Sequence, residues 1–207
     1  MKDPTDITIE TYNRTAHEFE KKAKNLHHVK EEKKFEKYLQ PGSSILDLGC
    51  GDGRDAKIFS ERGFKVTGID LSDKMLDLAR TKVALAIFKK MDIRNLEFPD
   101  NSFEGIWAVA SLLHIPKKEI HKALSESYRV LKKKGIIYIC VKVGEGEELK
   151  PDKRYDESAF KFYSYFQPTE LERFVKKSGF KILESKKIIL DNEYIKHPEI
   201  RLFARKE

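Results

Sequence analysis

Residues 45–54, Ile-Leu-Asp-Leu-Gly-Cys-Gly-Asp-Gly-Arg, limit the folds open to this chain more than any other stretch. A short apolar run passes into three glycines at alternate positions, Gly49, Gly51 and Gly53, and an amphipathic segment follows. Glycine has no Cβ, so such a turn lets main-chain groups come close to a bound molecule. Where the turn leads from a buried strand to a helix N-terminus, it suits a nucleotide-like cofactor. The turn alone leaves the choice of cofactor open.

The rest of the chain repeats this alternation. Apolar residues at helical spacing predict helices over residues 5–26, with Tyr12, Ala16, Phe19, Ala23 and Leu26 inward, and over 29–39, before the Pro41-Gly42 stop. Strands are expected at 44–48, 65–69, 86–91, 103–110 and 136–143. Helices separate them: one near 54–61, one after the Ser72 cap, and one from Pro116 to a stop at Gly135. A helix from Pro168 to Gly179 precedes two strands, 180–189 and 199–205, whose short connection suits an antiparallel hairpin.

This order predicts an α/β fold: a Rossmann-like, doubly wound, seven-stranded, mostly parallel sheet with an antiparallel last strand and N-terminal capping helices. A single domain of 207 residues accommodates it. Its parts are a helical cap (1–40), a cofactor-binding core (41–143), an acceptor-side loop or lid (144–167), and a C-terminal helix and hairpin (168–207).

Ligands of open α/β sheets bind at the carboxyl ends of the strands. Asp47, Asp70 and Asp92 all fall there. The Asp70 carboxylate can accept from both hydroxyls of a ribose, or it can serve as a cap just before the helix at Ser72. With Arg54 after Gly53, the turn lacks the third glycine of the dinucleotide fingerprint, which argues against a nicotinamide-dependent dehydrogenase. Asp47, inside the strand, would repel a diphosphate and attract an amino group or a sulfonium.

These stretches resemble the class I S-adenosylmethionine-dependent methyltransferases, within a branch of small methyltransferase domains. Residues 45–53 look like that family's first motif, Gly68-Ile69-Asp70-Leu71-Ser72 its second-strand acidic motif, and Met91-Asp92-Ile93 its adenine-side motif. Residues 102–107 with Leu113-His114-Ile115-Pro116 are similar to the fourth motif. In residues 131–137, Lys134 stands where the family has the first of two glycines, so that turn is more constrained.

The resemblance implies S-adenosyl-L-methionine as cofactor and S-adenosyl-L-homocysteine as product. Gly49, Cys50, Gly51 and the Asp47 region would hold the methionine end, and Asp70 the ribose. Leu71 would pack on the adenine, Asp92 and Ile93 would contact its edge and face, and Ser111 or Leu112 would line the sulfonium. Tyr12 lies in a segment similar to the family's Y-D-x-x-A pattern, with Asn13 in place of the acid. It would close over the methionine moiety, or serve as one more inward helix residue.

Because the sulfonium already activates the methyl group, the protein would chiefly supply in-line positioning and a dry pocket. His114, just after the fourth strand, is the candidate general base, with a structural role as the alternative. No His/Asp/Glu grouping has metal-ligand spacing, so no metal is expected. Acceptor selection is assigned to the aromatic-rich segment 154–166, above all Arg154, Tyr155, Tyr163 and Tyr165, with some of its rings expected in the core.

The expected acceptor is a small molecule. A net charge of +7 and the runs Lys21-Lys22-Ala23-Lys24 and Lys132-Lys133-Lys134 raise a tRNA or protein substrate as the alternative. Both signs are interspersed, however, and such runs are usually solvated helix faces, so nucleic acid is not favoured. A cofactor-binding module without turnover is the rival from another class. Two isolated cysteines, Cys50 and Cys140, fit a reducing cytoplasm, and nothing at residues 1–4 resembles a signal peptide. No run approaches the roughly 18 apolar residues of a membrane span. A monomer or homodimer is expected.

Overall fold

The sheet grows outward from the strand that carries Asp47. The computed structural model describes residues 3–23, 26–155, 158–189 and 197–207. β1 (Ser44–Leu48) pairs in parallel with β2 (Lys65–Asp70) on one side and with β4 (Phe103–Val109) on the other. β3 (Ile87–Lys90) extends the sheet beyond β2, and β5 (Leu131–Lys142) lies parallel to β4. β9 (Glu199–Lys206) runs antiparallel to β5, and β8 (Phe180–Ile188) antiparallel to β9. The resulting order, β3-β2-β1-β4-β5-β9-β8, is the expected seven-stranded, mostly parallel sheet. The strand order reverses between β1 and β4, which is where a crevice opens at the strand ends.

Strand periodicity sorts the core into two layers. Leu46, Leu48, Ile106, Ala108, Ile137 and Ile139 face α5 (Ile120–Val130) and α6 (Pro168–Lys177). Ile45, Trp107, Ile136, Tyr138 and Phe203 face α2 (Val29–Glu36), α3 (Arg54–Glu61) and α4 (Asp73–Lys82). Trp107 anchors the second layer: its ring lies 4.3 Å from that of Tyr138 and 5.1 Å from that of Phe59, centroid to centroid. Its indole N–H donates to Asp55 Oδ2 at 2.9 Å, so the one polar atom of this buried ring is satisfied.

The N-terminal helix α1 (Pro4–Ala23) turns Tyr12, Ala16, Phe19 and Ala23 inward as expected and buries a row of threonines besides. Thr5, Thr8, Thr11 and Thr15 are buried together with Ala16 and Ala23. These threonines dock the helix by hydrogen bonds. Phe162 N–H donates to Thr8 Oγ1 at 2.9 Å, and Thr11 Oγ1 donates to the Phe160 carbonyl at 2.6 Å.

Their partner lies in residues 144–167, the stretch expected as an acceptor-side loop or lid. They contain the antiparallel hairpin β6 (Glu147–Pro151) and β7 (Phe160–Ser164). In β7, Lys161, Phe162, Tyr163 and Ser164 are all buried, because α1 covers one side and the short helical turn at Leu112–His114 lies along the other.

Smaller corrections concern ends of elements. α5 stops at Val130 rather than at Gly135, because Leu131 already pairs with Phe103 in the sheet. Lys134 adopts φ +66°, the left-handed conformation that favours glycine, so the turn is constrained as expected of a lysine there. α1 and α2 end short of residues 26 and 39. β3 is an edge strand shorter than residues 86–91, with Ile87 60% exposed. Most of the connection between β8 and β9, residues 190–196, lies outside the described residues. Among the described residues no helix is long and apolar enough to cross a membrane.

Candidate cofactor and acceptor site

A cavity of ≈ 220 Å³ lies at the carboxyl ends of β1, β2, β4 and β5, roofed by α1. Gly49 explains why the first turn needs glycine. It adopts φ +69°, and a Cβ there would stand 2.5 Å from the Ser111 Cβ, so the β1 turn and the segment after β4 pass with no room for a side chain.

Asp70 closes β2 and is held entirely by main chain. Its Oδ2 accepts from Gly51 N–H at 3.0 Å and its Oδ1 from Ser72 N–H at 2.9 Å. Each oxygen keeps a further lone pair for a ligand hydroxyl. Burial raises its pKa, and these backbone bonds oppose the rise. Ser72 makes the expected helix cap: its Oγ accepts from Met75 N–H at 3.3 Å and donates to Asn13 Oδ1 at 2.8 Å. Asn13 also accepts from Lys74 N–H at 3.2 Å, so this residue ties α1 to the start of α4.

Asp47 is 3% exposed, and its Oδ2 has no hydrogen-bond partner among the described residues. Burial, reinforced by the Asp55 carboxylate, pushes its pKa well above the ordinary carboxylate range, against the pull of Arg54. Asp52 and Asp55 stand on the same wall, paired with Lys82 at 2.5 Å and Arg54 at 2.8 Å. An unpaired buried carboxylate in such a setting calls for a cationic group. Ser111 Oγ, beside the Gly49 turn, is likewise buried without a partner among the described residues.

Tyr12 and His114 form a pair over the cavity. His114 Nδ1 lies 2.7 Å from the Phe162 carbonyl, which can only accept, so this nitrogen carries the proton. The remaining lone pair, on Nε2, faces the Tyr12 hydroxyl at 3.2 Å. Burial, with Lys161, Lys142 and Arg154 nearby, lowers the imidazole pKa to about 3 and keeps it neutral. Lys161 is 0% exposed; its Nζ lies 3.8 Å from the Tyr12 ring centroid and 3.1 Å from Asp152 Oδ2, an ion pair without hydrogen-bond alignment. Burial first, then Arg154 and Lys150, brings Lys142 down to about 7; its Nζ lies 3.8 Å from the Tyr163 ring centroid.

Comparison with known proteins places this architecture. Residues 45–135 match the family described as "Methyltransferase domain". A demethylmenaquinone methyltransferase of Symbiobacterium thermophilum is 36% identical over 156 residues, 69% of this chain and 57% of that protein. A S-adenosylmethionine-dependent methyltransferase structure from Methanosarcina mazei is similar with a TM-score of 0.75 at 25% identity, covering 87% of this chain and 97% of that one. The chain belongs to the class I S-adenosylmethionine-dependent methyltransferase superfamily.

The fold is shared further with the 1,6-didemethyltoxoflavin-N1-methyltransferase of Burkholderia thailandensis, solved with its substrate and S-adenosylhomocysteine. There the TM-score is 0.78 at 21% identity, over 100% of this chain and 91% of that one. The chain spans about a third to just over half the length of the curated relatives it matches.

Of the residues assigned from the methyltransferase pattern, the cavity wall includes Tyr12, Asp47, Gly49, Cys50, Gly51, Asp70, Leu71, Ile93 and Ser111, and also His114. Asp92 is outside the wall. Arg94, two residues on, holds its carboxylate with Nε and Nη2 at 2.7–3.0 Å. Leu112 is in the core. On the acceptor side Arg154 and Tyr163 line the cavity, whereas Tyr155 and Tyr165 do not. The Tyr155 ring packs under Lys22 and Lys161, and the Tyr165 hydroxyl donates to Glu148 at 2.6 Å. Sequence reasoning missed Lys142, His28, His197 and Glu199 on the wall. Only the position of Lys142 at the end of a central strand could have flagged one of them.

Proposed function

We propose that this chain is a methyltransferase that moves a methyl group from S-adenosylmethionine to a small-molecule acceptor. The unpaired, buried carboxylate of Asp47 beside the main-chain-held Asp70 carries this reading, because together they ask for a cationic group joined to a diol. Asp70 takes the ribose hydroxyls, Asp47 the ammonium end of the methionine moiety, and Ser111 Oγ a polar group beside the Gly49 turn. Leu71 and Ile93 supply apolar surface for the adenine. When bound, the cofactor supplies a methyl group made electrophilic by its sulfonium.

The protein's own work is then orientation, exclusion of water and proton uptake. Tyr12 roofs the cavity and is held by His114, which we assign as a positioning residue. An imidazole at about 3 is a weak base at neutral pH, and its lone pair is engaged by the tyrosine hydroxyl. Lys142, at about 7, is better matched to take a proton from an acceptor hydroxyl or amine. Arg154 and Tyr163 shape the acceptor wall with it.

Calorimetry with S-adenosylhomocysteine, together with transfer of tritiated methyl groups to a fractionated extract, tests this. We expect one cofactor site per chain and label in the small-molecule fraction. Label only in tRNA or protein refutes the acceptor class, and binding without any label favours a module without turnover. No binding at millimolar S-adenosylhomocysteine refutes the proposal altogether.

A further inference from the structure

The wall of the cavity beyond Asp47 carries three side chains whose grouping the cofactor does not explain. Cys140 on β5 pairs in register with Arg201 on β9, and Glu199 lies two residues along on the same face of the sheet. His28, just before α2, comes down on that face from the helical cap. The His nitrogen, the Cys sulfur and a Glu oxygen all lie within 4.8 Å of one another, and all three residues are buried. We propose that His28, Cys140 and Glu199 form a binding site for a divalent zinc-type cation, with its open position facing the acceptor end of the cavity.

Four features support it. The donor set is one nitrogen, one sulfur and one oxygen, the mixture that borderline cations such as Zn²⁺ take in preference to Mg²⁺ or Ca²⁺. A thiolate and a carboxylate neutralise a divalent charge, which matters at a buried site. Tetrahedral zinc with bonds of about 2.0–2.3 Å needs ligand atoms roughly 3.3–3.8 Å apart, so side-chain rotations close the observed grouping.

The fourth feature is that two ligands already have outer partners of the kind that orient metal ligands. The Tyr138 hydroxyl lies 3.3 Å from His28 Nδ1. Arg201 grips Glu199 Oε2 with Nε at 3.1 Å and Nη2 at 2.9 Å, and is itself held by Glu31 at 2.9 Å, leaving Glu199 Oε1 for a ligand.

Binding breaks the Cys140 S–H bond and forms an S–metal bond, the proton leaving to buffer with no change of oxidation state. Three protein ligands with a fourth position open are the arrangement of reactive rather than purely structural zinc sites. His28, Cys140 and Glu199 line the same cavity as Asp47 and Ser111, so that fourth position is reached by water or by an acceptor heteroatom. His197, whose Nδ1 is buried without a partner among the described residues, adds a polar group to the same wall.

The test uses the full chain without a histidine tag, stripped with chelator and then loaded with Co²⁺ or Zn²⁺. We expect about one metal per chain by plasma mass spectrometry after desalting, and a thiolate-to-Co²⁺ charge-transfer band in the near ultraviolet. Cys140→Ser should abolish the band, and Glu199→Gln should weaken Zn²⁺ binding at least tenfold in a competition titration. Tyr138→Phe, which keeps all three ligands, should weaken it on the order of tenfold. Calorimetric S-adenosylhomocysteine binding by each variant verifies folding and stands apart from the metal readout, so the two proposals fail separately. Loading below a tenth of an equivalent, or an unchanged band in the folded Cys140→Ser protein, overturns the site.

Discussion

Asp47→Asn should make the ligand-free protein more stable and its cofactor binding weaker. Asparagine has nearly the same shape, so packing is kept while the charge goes. The sign follows from linkage. Burial and Asp55 raise the folded-state pKa of Asp47, so the native state holds this proton more tightly than the unfolded chain does. Stability is therefore lost as pH rises from the unfolded value near 3.9 through the folded one, and at neutral pH the ionised carboxylate is a burden. Leaving a buried polar group unsatisfied costs about 1–3 kcal/mol and more when it is charged; the asparagine amide removes part of this, about 1–2 kcal/mol.

For a chain of 207 residues, 1 kcal/mol moves Tm by roughly 2–4 °C, so scanning calorimetry without ligand should show a rise of about 2–8 °C at pH 7. The rise should shrink as the pH approaches 4. Binding moves the other way. Exchanging a charge-assisted contact to an ammonium for a neutral one loses about 2–3 kcal/mol, or about 30- to 150-fold in Kd for S-adenosylhomocysteine. If Asp47→Asn melts lower than wild type, or binds S-adenosylhomocysteine equally well, the assignment of this carboxylate to a cationic ligand is wrong.

Gly49→Ala combines a left-handed backbone with a 2.5 Å clash, and should cost about 2–4 kcal/mol by denaturant titration; Ser111→Gly in the same chain should restore the clash component but not the backbone one. Thr8→Val leaves the Phe162 N–H without its acceptor and should destabilise by about 1–3 kcal/mol, whereas Thr15→Val should change little, since Thr15 Oγ1 only donates to Thr11 within the helix at 2.8 Å. Tyr12→Phe should let the His114 imidazole titrate at higher pH by proton NMR, because the tyrosine hydroxyl no longer occupies the Nε2 lone pair; a histidine signal that stays neutral down to pH 3 would contradict this. Lys142→Met should remove the limb near pH 7 from the pH profile of methyl transfer while leaving S-adenosylhomocysteine affinity within a few-fold.

The cofactor half of the cavity was legible because its chemistry is local. Asp47, Gly49 and Gly51 lie within five consecutive residues, and Asp70 follows one strand later, so a strand, its turn and the next strand end suffice to place them. Asp92 shows where that logic stops. It follows the third strand, but its carboxylate is held by the fork of Arg94 two residues on, and spacing carries no such information. The threonine face of α1 escaped for a related reason. Apolar periodicity marks Tyr12, Ala16, Phe19 and Ala23, while Thr8 and Thr11 bury through hydroxyl bonds to a strand some 150 residues away in the chain.

The acceptor half is built almost wholly by such distant meetings. Cys140 and Glu199 share a face through the antiparallel register of β5 and β9, and His28 reaches them from the helical cap. Lys142 meets Tyr163 because the β6–β7 hairpin folds back over the strand end. These groups are therefore free to vary without disturbing the first-strand turn, and on the proposed reading a change in any of them alters the acceptor wall while Asp70 keeps its bonds to Gly51 and Ser72. It follows that Lys142→Met and Cys140→Ser should separate acceptor turnover from cofactor affinity, whereas Asp47→Asn changes both.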